Sequence, residues 1–142
     1  MLSNPDSNRW RVVLPEQATP QPTLVDDAPD VLSTTGRFLE AAGFDVVRAT
    51  DGQAALASLA SGRQFRLLVT DYAMPGLNGI ELTLQAQEKI PHLKTVIITG
   101  FPDAEDFDKL PPDTTLLVKP FRRKALIDAL RQWFEFVVIP GQ

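Results

Sequence analysis

The sequence predicts an α/β protein, a doubly wound five-stranded parallel sheet with helices on both faces. Three observations carry this. From Thr23 onward, a short apolar run followed by a helix-period stretch recurs five times. The runs, such as "LLVTD" and "TVIIT", are continuous in Val, Ile and Leu rather than alternating, which marks strands buried on both faces. The connections are short, and right-handed crossovers between such runs set the strands parallel.

Each element follows from local chemistry. Residues 1–22 hold Pro5, Pro15, Pro20 and Pro22 among scattered polar residues and read as an N-terminal tail or linker. Within it "RWRVVLP", from Arg9 to Pro15, reads as an isolated short strand. "TLVDD" opens the repeat and ends in acids. Pro29 suits a first helical position, Val31, Leu32, Phe38, Leu39 and Ala42 form one helical face, and Gly43 ends that helix. "FDVVRAT" is a strand. Asp51 caps a helix carrying Ala54, Ala55, Leu56 and Leu59, which Gly62 stops. "RLLVTD" is the next strand. "MPGLNG" is a turn, and Asn78 caps the helix "GIELTLQAQEKI". "KTVIITG" is a strand, and a poor helix follows around Asp103 to Leu110, broken by Pro111-Pro112. "TTLLVKP" and "FRRKALIDALRQWFEF" close the repeat. The folded unit is therefore expected over residues 23–136, with 137–142 a C-terminal tail.

Composition narrows the function. A chain of 142 residues suits one domain. The net charge of −4 and pI of about 4.9 argue against direct nucleic-acid binding. The one basic cluster, Arg122-Arg123-Lys124, reads as a solvated helix face. There is no cysteine, hence no disulfide framework or thiol chemistry. No apolar stretch approaches the roughly 18 residues that span a bilayer, and no apolar signal core is present, so the expected compartment is the cytoplasm.

In an open parallel sheet, ligands bind beyond the carboxyl ends of the strands, where the strand order switches. Those ends carry Asp26-Asp27, Asp71, Thr99-Gly100 and Lys119-Pro120. Clustered carboxylates repel one another unless a cation or a proton joins them. Oxygen ligands that retain some water suit Mg²⁺. A metal between Asp27 and Asp71 can hold a phosphoryl oxygen, Lys119 offers a point charge to a second and Thr99 a hydroxyl to a third. Phosphoryl transfer needs chiefly such positioning and neutralisation, and an aspartate can be its nucleophile.

The pieces "LVDDAPDVL", "LLVTDYAMPGLNGIEL", "VIITG" and "LLVKPF", in this order and spacing, resemble the response-regulator receiver domain of two-component signalling. The resemblance covers about Thr23 to Phe136 and implies the flavodoxin-like receiver fold. It implies Asp71 as phosphoacceptor, with Asp26, Asp27, Asp71 and the Ala73 backbone carbonyl around Mg²⁺. It implies Thr99 as the hydroxyl that follows the phosphoryl group, Lys119 as its counter-charge, and a cis bond at Lys119-Pro120. The implied function is phosphorelay signalling. Asp71 accepts a phosphoryl group from a histidine kinase or histidine phosphotransfer domain, and the change switches contacts with a downstream protein partner. The module is then no enzyme beyond its own phosphoryl transfer and dephosphorylation.

The sequence departs from the family's pattern in places. Where the family usually carries Phe or Tyr, three residues before Lys119, stands Leu116. With the short fourth helix, this predicts a response to phosphorylation confined to the surroundings of Asp71 and Thr99. "RWRVVLPE" resembles the last strand of a histidine-kinase ATPase domain, so a stand-alone regulator and the C-terminal receiver of a hybrid kinase are both readings of the chain.

His92 reads as a surface residue at a helix end, and Trp133 and Phe134 as core and edge packing. The alternative function is a pseudo-receiver, an interaction module not regulated by phosphorylation; the intact acids, Thr99 and Lys119 count against it. A phosphatase built on an aspartyl nucleophile wants an acid two residues on, where Ala73 stands. A flavin carrier wants a phosphate loop where "DDAPD" stands.

Overall fold

The computed structural model describes residues 10–13, 22–26, 31–62, 65–101, 105–134 and 137–140. Its strands are β1 (Trp10–Val13), β2 (Pro22–Asp26), β3 (Asp45–Ala49), β4 (Leu67–Asp71), β5 (Lys94–Thr99), β6 (Thr114–Val118) and β7 (Val137–Pro140). Its helices are α1 (Val31–Ala41), α2 (Gly52–Leu59), α3 (Gly79–Lys89) and α4 (Arg123–Leu130), with a 3₁₀ turn at Glu105–Asp108. Strands β2 to β6 form one sheet in the order β3-β2-β4-β5-β6, every pair parallel. This is the doubly wound five-stranded α/β sheet expected.

Side-chain alternation builds a core on each face. Leu67, Val69, Val96 and Ile98 point to one side, where they meet Leu39 and Ala42 of the α1 end and Leu126, Ile127 and Leu130 of α4. Leu68 points to the other, among Ala55, Leu56 and Leu59 of α2 and Leu82 and Ala86 of α3. Leu67, Leu68, Val69 and Thr70 are all buried, so β4 is covered on both faces.

The expected stops and caps are in place. Gly43 has φ 100°, its N–H donates to Glu40 O, and Phe44 N–H reaches back to Leu39 O. That pair of bonds ends α1 in a left-handed residue, where glycine carries no Cβ penalty. Asp51 accepts from Ala54 N at 2.8 Å. Asn78 accepts from Glu81 N at 2.8 Å while Glu81 accepts from Asn78 N at 2.9 Å, a reciprocal capping box. Pro29 lies outside the described residues.

Four expectations are corrected. Of the stretch around Asp103 to Leu110 expected as a poor helix, the described residues from Glu105 on make a 3₁₀ turn, Glu105–Asp108, with Pro111-Pro112 barring its continuation as a helix. The last helix spans Arg123–Leu130, shorter than the sequence Phe121 to Phe136 suggested. The strand at Arg9–Pro15 is not isolated. Trp10–Val13 pairs antiparallel with Val137–Pro140, a strand within the stretch expected as C-terminal tail. Arg123 is not simply solvated, since its guanidinium carbon lies 5.2 Å from the Phe38 ring centroid. Phe134 meets Phe44 edge-on with ring centroids 5.4 Å apart, and Trp133 packs on the same core, as expected.

Candidate functional site

Strand β4 delivers Asp71. Its four preceding residues are fixed by burial on both faces, so the carboxylate emerges at a determined height at the sheet's carboxyl edge. Strand order turns back between β2 and β4, since the chain runs outward from β2 to β3 and then returns to β4, β5 and β6. Asp71 ends the strand beside that switch. Its side chain is only 15% exposed. The loop behind it closes by a tight contact. Gly79 N–H donates to Tyr72 O at 2.8 Å, and a Cβ on Gly79 would lie 2.8 Å from Asp71 O and 3.0 Å from Tyr72 Cα. Only glycine lets the start of α3 sit against the end of β4.

Parallel register brings the other two strand ends alongside. Asp71 pairs in register with Ile98, and Thr99 with Val118. Thr99 therefore sits one step beyond the level of Asp71 on the neighbouring strand. It is buried, and its Oγ1 accepts a hydrogen bond from Phe101 N at 2.9 Å. Lys119 N–H donates to Thr99 O at 2.8 Å, which ties the end of β6 to that of β5. The Lys119-Pro120 bond is cis. The Lys119 ammonium lies 3.5 Å from Asp71 Oδ1, and its side chain is about one-third exposed (35%). One carboxylate, one ammonium and one hydroxyl, expected from three separate strand ends, thus gather at one edge.

The remaining expected ligands are placed in part. Asp26 is the last residue of β2, one step past the pairing of Val25 with Val69, so its backbone lies beside the end of β4. Asp27 lies outside the described residues. Ala73 is exposed in the loop just after Asp71. Among the described residues no group of three metal-binding side chains is found. The donors the sequence assigns to this edge are carboxylates and a main-chain carbonyl. Such hard oxygens fit Mg²⁺, and no thiolate is available for a softer ion.

Two features escaped the sequence reading. The Tyr72 and Phe107 rings meet at 66° with centroids 4.7 Å apart, joining the residue after Asp71 to the 3₁₀ turn. Phe101, whose amide holds Thr99, is itself 78% exposed. The aromatic composition hints at neither, because contacts between two loops leave no periodic trace. Leu116 is half-buried in β6, an aliphatic side chain as read. His92 is a surface residue, its side chain 88% exposed, beyond the end of α3. No helix among the described residues is long and apolar enough to cross a membrane.

Comparison with known proteins bears on this site. The family model described as "Response regulator receiver domain" matches residues 23–131. Among relatives, the response regulator receiver protein CpdR of Brucella abortus is 35% identical over 115 residues, covering 77% of this chain and 92% of its own. Among solved structures, a response regulator receiver protein from Sinorhizobium medicae is 30% identical, with a TM-score of 0.71 over 80% of this chain and 93% of its own. The receiver domain of sensor histidine kinase PA1611 from Pseudomonas aeruginosa, solved with a magnesium ion in its active-site cleft, shares the fold. Its TM-score is 0.69 at 22% identity, over 82% of this chain and 98% of its own. An Asp, a Thr and a Lys at three adjacent strand ends, on a doubly wound sheet that the receiver model matches over most of its length, place the chain in the response-regulator receiver family of two-component signalling.

Proposed function

We propose that the protein is a phosphorylatable receiver in which Asp71 takes a phosphoryl group from a phosphohistidine. The observation that carries this is the approach of the Lys119 ammonium to within 3.5 Å of a scarcely exposed Asp71 carboxylate. A carboxylate oxygen of Asp71 attacks phosphorus. An O–P bond forms, the P–N bond breaks, and its electron pair leaves on the imidazole nitrogen, which takes a proton from solvent. Lys119 neutralises one phosphoryl oxygen, and the Thr99 hydroxyl donates to another. Asp26, Asp27, Asp71 and the Ala73 carbonyl are the residues that would hold Mg²⁺. The ion would supply charge neutralisation that the lone ammonium cannot. The donor is a histidine kinase or histidine phosphotransfer domain. A downstream protein reads the altered loops, and the setting is the cytoplasm.

Acetyl phosphate with Mg²⁺ tests the reading. The expected result is one acid-labile phosphate mapped to Asp71 by mass spectrometry, dependent on Mg²⁺ and lost in Asp71→Asn. Wild-type modification of Asp71→Asn at another residue would refute the assignment.

A further inference from the structure

The family's signal ordinarily leaves the site through an aromatic side chain on the last strand of the sheet, and here that position is Leu116. A different aromatic contact touches the site. Tyr72 follows Asp71 directly, and its backbone is fixed on both sides. Its N–H donates to Ile98 O at 2.9 Å and its carbonyl accepts from Gly79 N at 2.8 Å. The ring is therefore carried on a base tied to β5 and α3. It meets Phe107 edge-on at 4.7 Å. Phe107 belongs to a turn of four residues, too short to hold itself by its own backbone bonds. Asp108 and Lys109, which follow it, are exposed, and the Tyr72 ring is a contact that ties the segment to the end of β4. The chain enters the same connection at Phe101, whose amide donates to the Thr99 hydroxyl.

We propose that the Tyr72–Phe107 contact makes the 3₁₀ turn Glu105–Asp108 report the state of Asp71, by a route that bypasses β6. This rests on Asp71 being the phosphoacceptor. A phosphoryl group on Asp71 adds charge and bulk one residue before Tyr72, whose backbone it shares, and draws on the Thr99 hydroxyl, whose oxygen accepts from Phe101 N. Both connections into the β5–β6 crossover then differ between the two states, which is the differential interaction any switch requires. The aliphatic Leu116 has no polar tip to exchange, so the strand behind the turn stays as it is. The response accordingly extends beyond the surroundings of Asp71 to one surface turn and ends there.

Amide chemical shifts with and without beryllofluoride and Mg²⁺ decide it, in wild type, Phe107→Leu, Tyr72→Phe and Tyr72→Ala. In wild type, shifts at Asp108 and Lys109 should be of the same order as those at Ala73 to Gly76, with Thr115 to Leu117 nearly unmoved. Tyr72→Phe keeps the ring and should keep the response. Phe107→Leu and Tyr72→Ala should lose it at Asp108 and Lys109 while retaining the shifts around Asp71. Loss of all shifts in wild type would remove the phosphoacceptor reading and this route with it. Normal shifts around Asp71 with a still turn, or a turn that responds equally in Phe107→Leu, would overturn the route alone. Should Phe107→Leu lose its native circular dichroism, the Tyr72→Phe and Tyr72→Ala pair decides.

Discussion

Thr95 is buried in β5, and its hydroxyl has no hydrogen-bond partner among the described residues. A buried hydroxyl left unpaired costs about 1–3 kcal/mol, and valine has the same shape without it. Thr95→Val should therefore raise the unfolding midpoint by a few degrees, read by thermal melts, with beryllofluoride binding unchanged. An unchanged or lowered midpoint would mean that the hydroxyl is satisfied in solution. Lys119 makes the opposite kind of prediction. Its ammonium lies 3.5 Å from Asp71 and cannot ligate a metal, so Lys119→Ala should retain Mg²⁺ affinity or gain slightly from the loss of a competing cation. Beryllofluoride affinity should fall at least about tenfold, roughly 1.4 kcal/mol, as for a lost charge-assisted hydrogen bond. Titration calorimetry of the two ligands separates the effects, and equal beryllofluoride affinity would contradict the role. Asp71, Thr99 and Lys119 were legible in the sequence because each ends an apolar run, and a buried run fixes where its last residue emerges. Tyr72 and Phe107 were not, because their contact depends on how two loops fold over the sheet edge.

Helix α3 shows how an element's start positions the site. Its capping box joins Asn78 and Glu81, and Gly79 presses against Asp71 O and Tyr72 Cα. Asn78→Ala should cost about 1 kcal/mol of stability, as N-cap removals do. Gly79→Ala should cost more, about 1–3 kcal/mol, since a methyl group within 3.0 Å of main-chain atoms forces α3 away from β4. Denaturant unfolding measures both. Gly79→Ala should also slow phosphorylation by acetyl phosphate, because the loop holding Ala73 must shift, whereas Asn78→Ala should leave that rate within about twofold, the spacing of Asp71 from Lys119 being intact. The caps at Asp51 and Asn78 and the stop at Gly43 could be read from single residues because their chemistry is local. The 3₁₀ turn and the β1–β7 pairing could not. The first is a truncated helix decided by two following prolines, and the second joins residues at opposite ends of the chain with no intervening pattern.

The whole molecule has unequal poles. At the carboxyl edge, the contacts among the described residues include the Tyr72–Phe107 rings, the Phe101 amide on the Thr99 hydroxyl, the Lys119–Asp71 ion pair, and the bonds from Gly79 N to Tyr72 O and from Lys119 N to Thr99 O. At the other end of the sheet, Gln87 Nε2 donates to both Pro112 O at 2.7 Å and Leu93 O at 3.2 Å. Lys94 pairs with Asp113 at 3.1 Å, and Thr95 N–H donates to Asp113 O at 2.9 Å. These bonds lash the entries of β5 and β6 together and tie both to the last turns of α3. The consequence is mechanical. With the opposite end cross-braced in this way, a change at the Asp71 edge is expected to act on the rim loops rather than down the strands. Hydrogen exchange should register this as protection at Leu93 to Val96 and at Thr114 that is high and identical with and without beryllofluoride, while the amides of Tyr72 to Gly76 and Asp108 change. The braced end would then act as an anvil, the fixed reference against which a small chemical event at the opposite end is read at the surface.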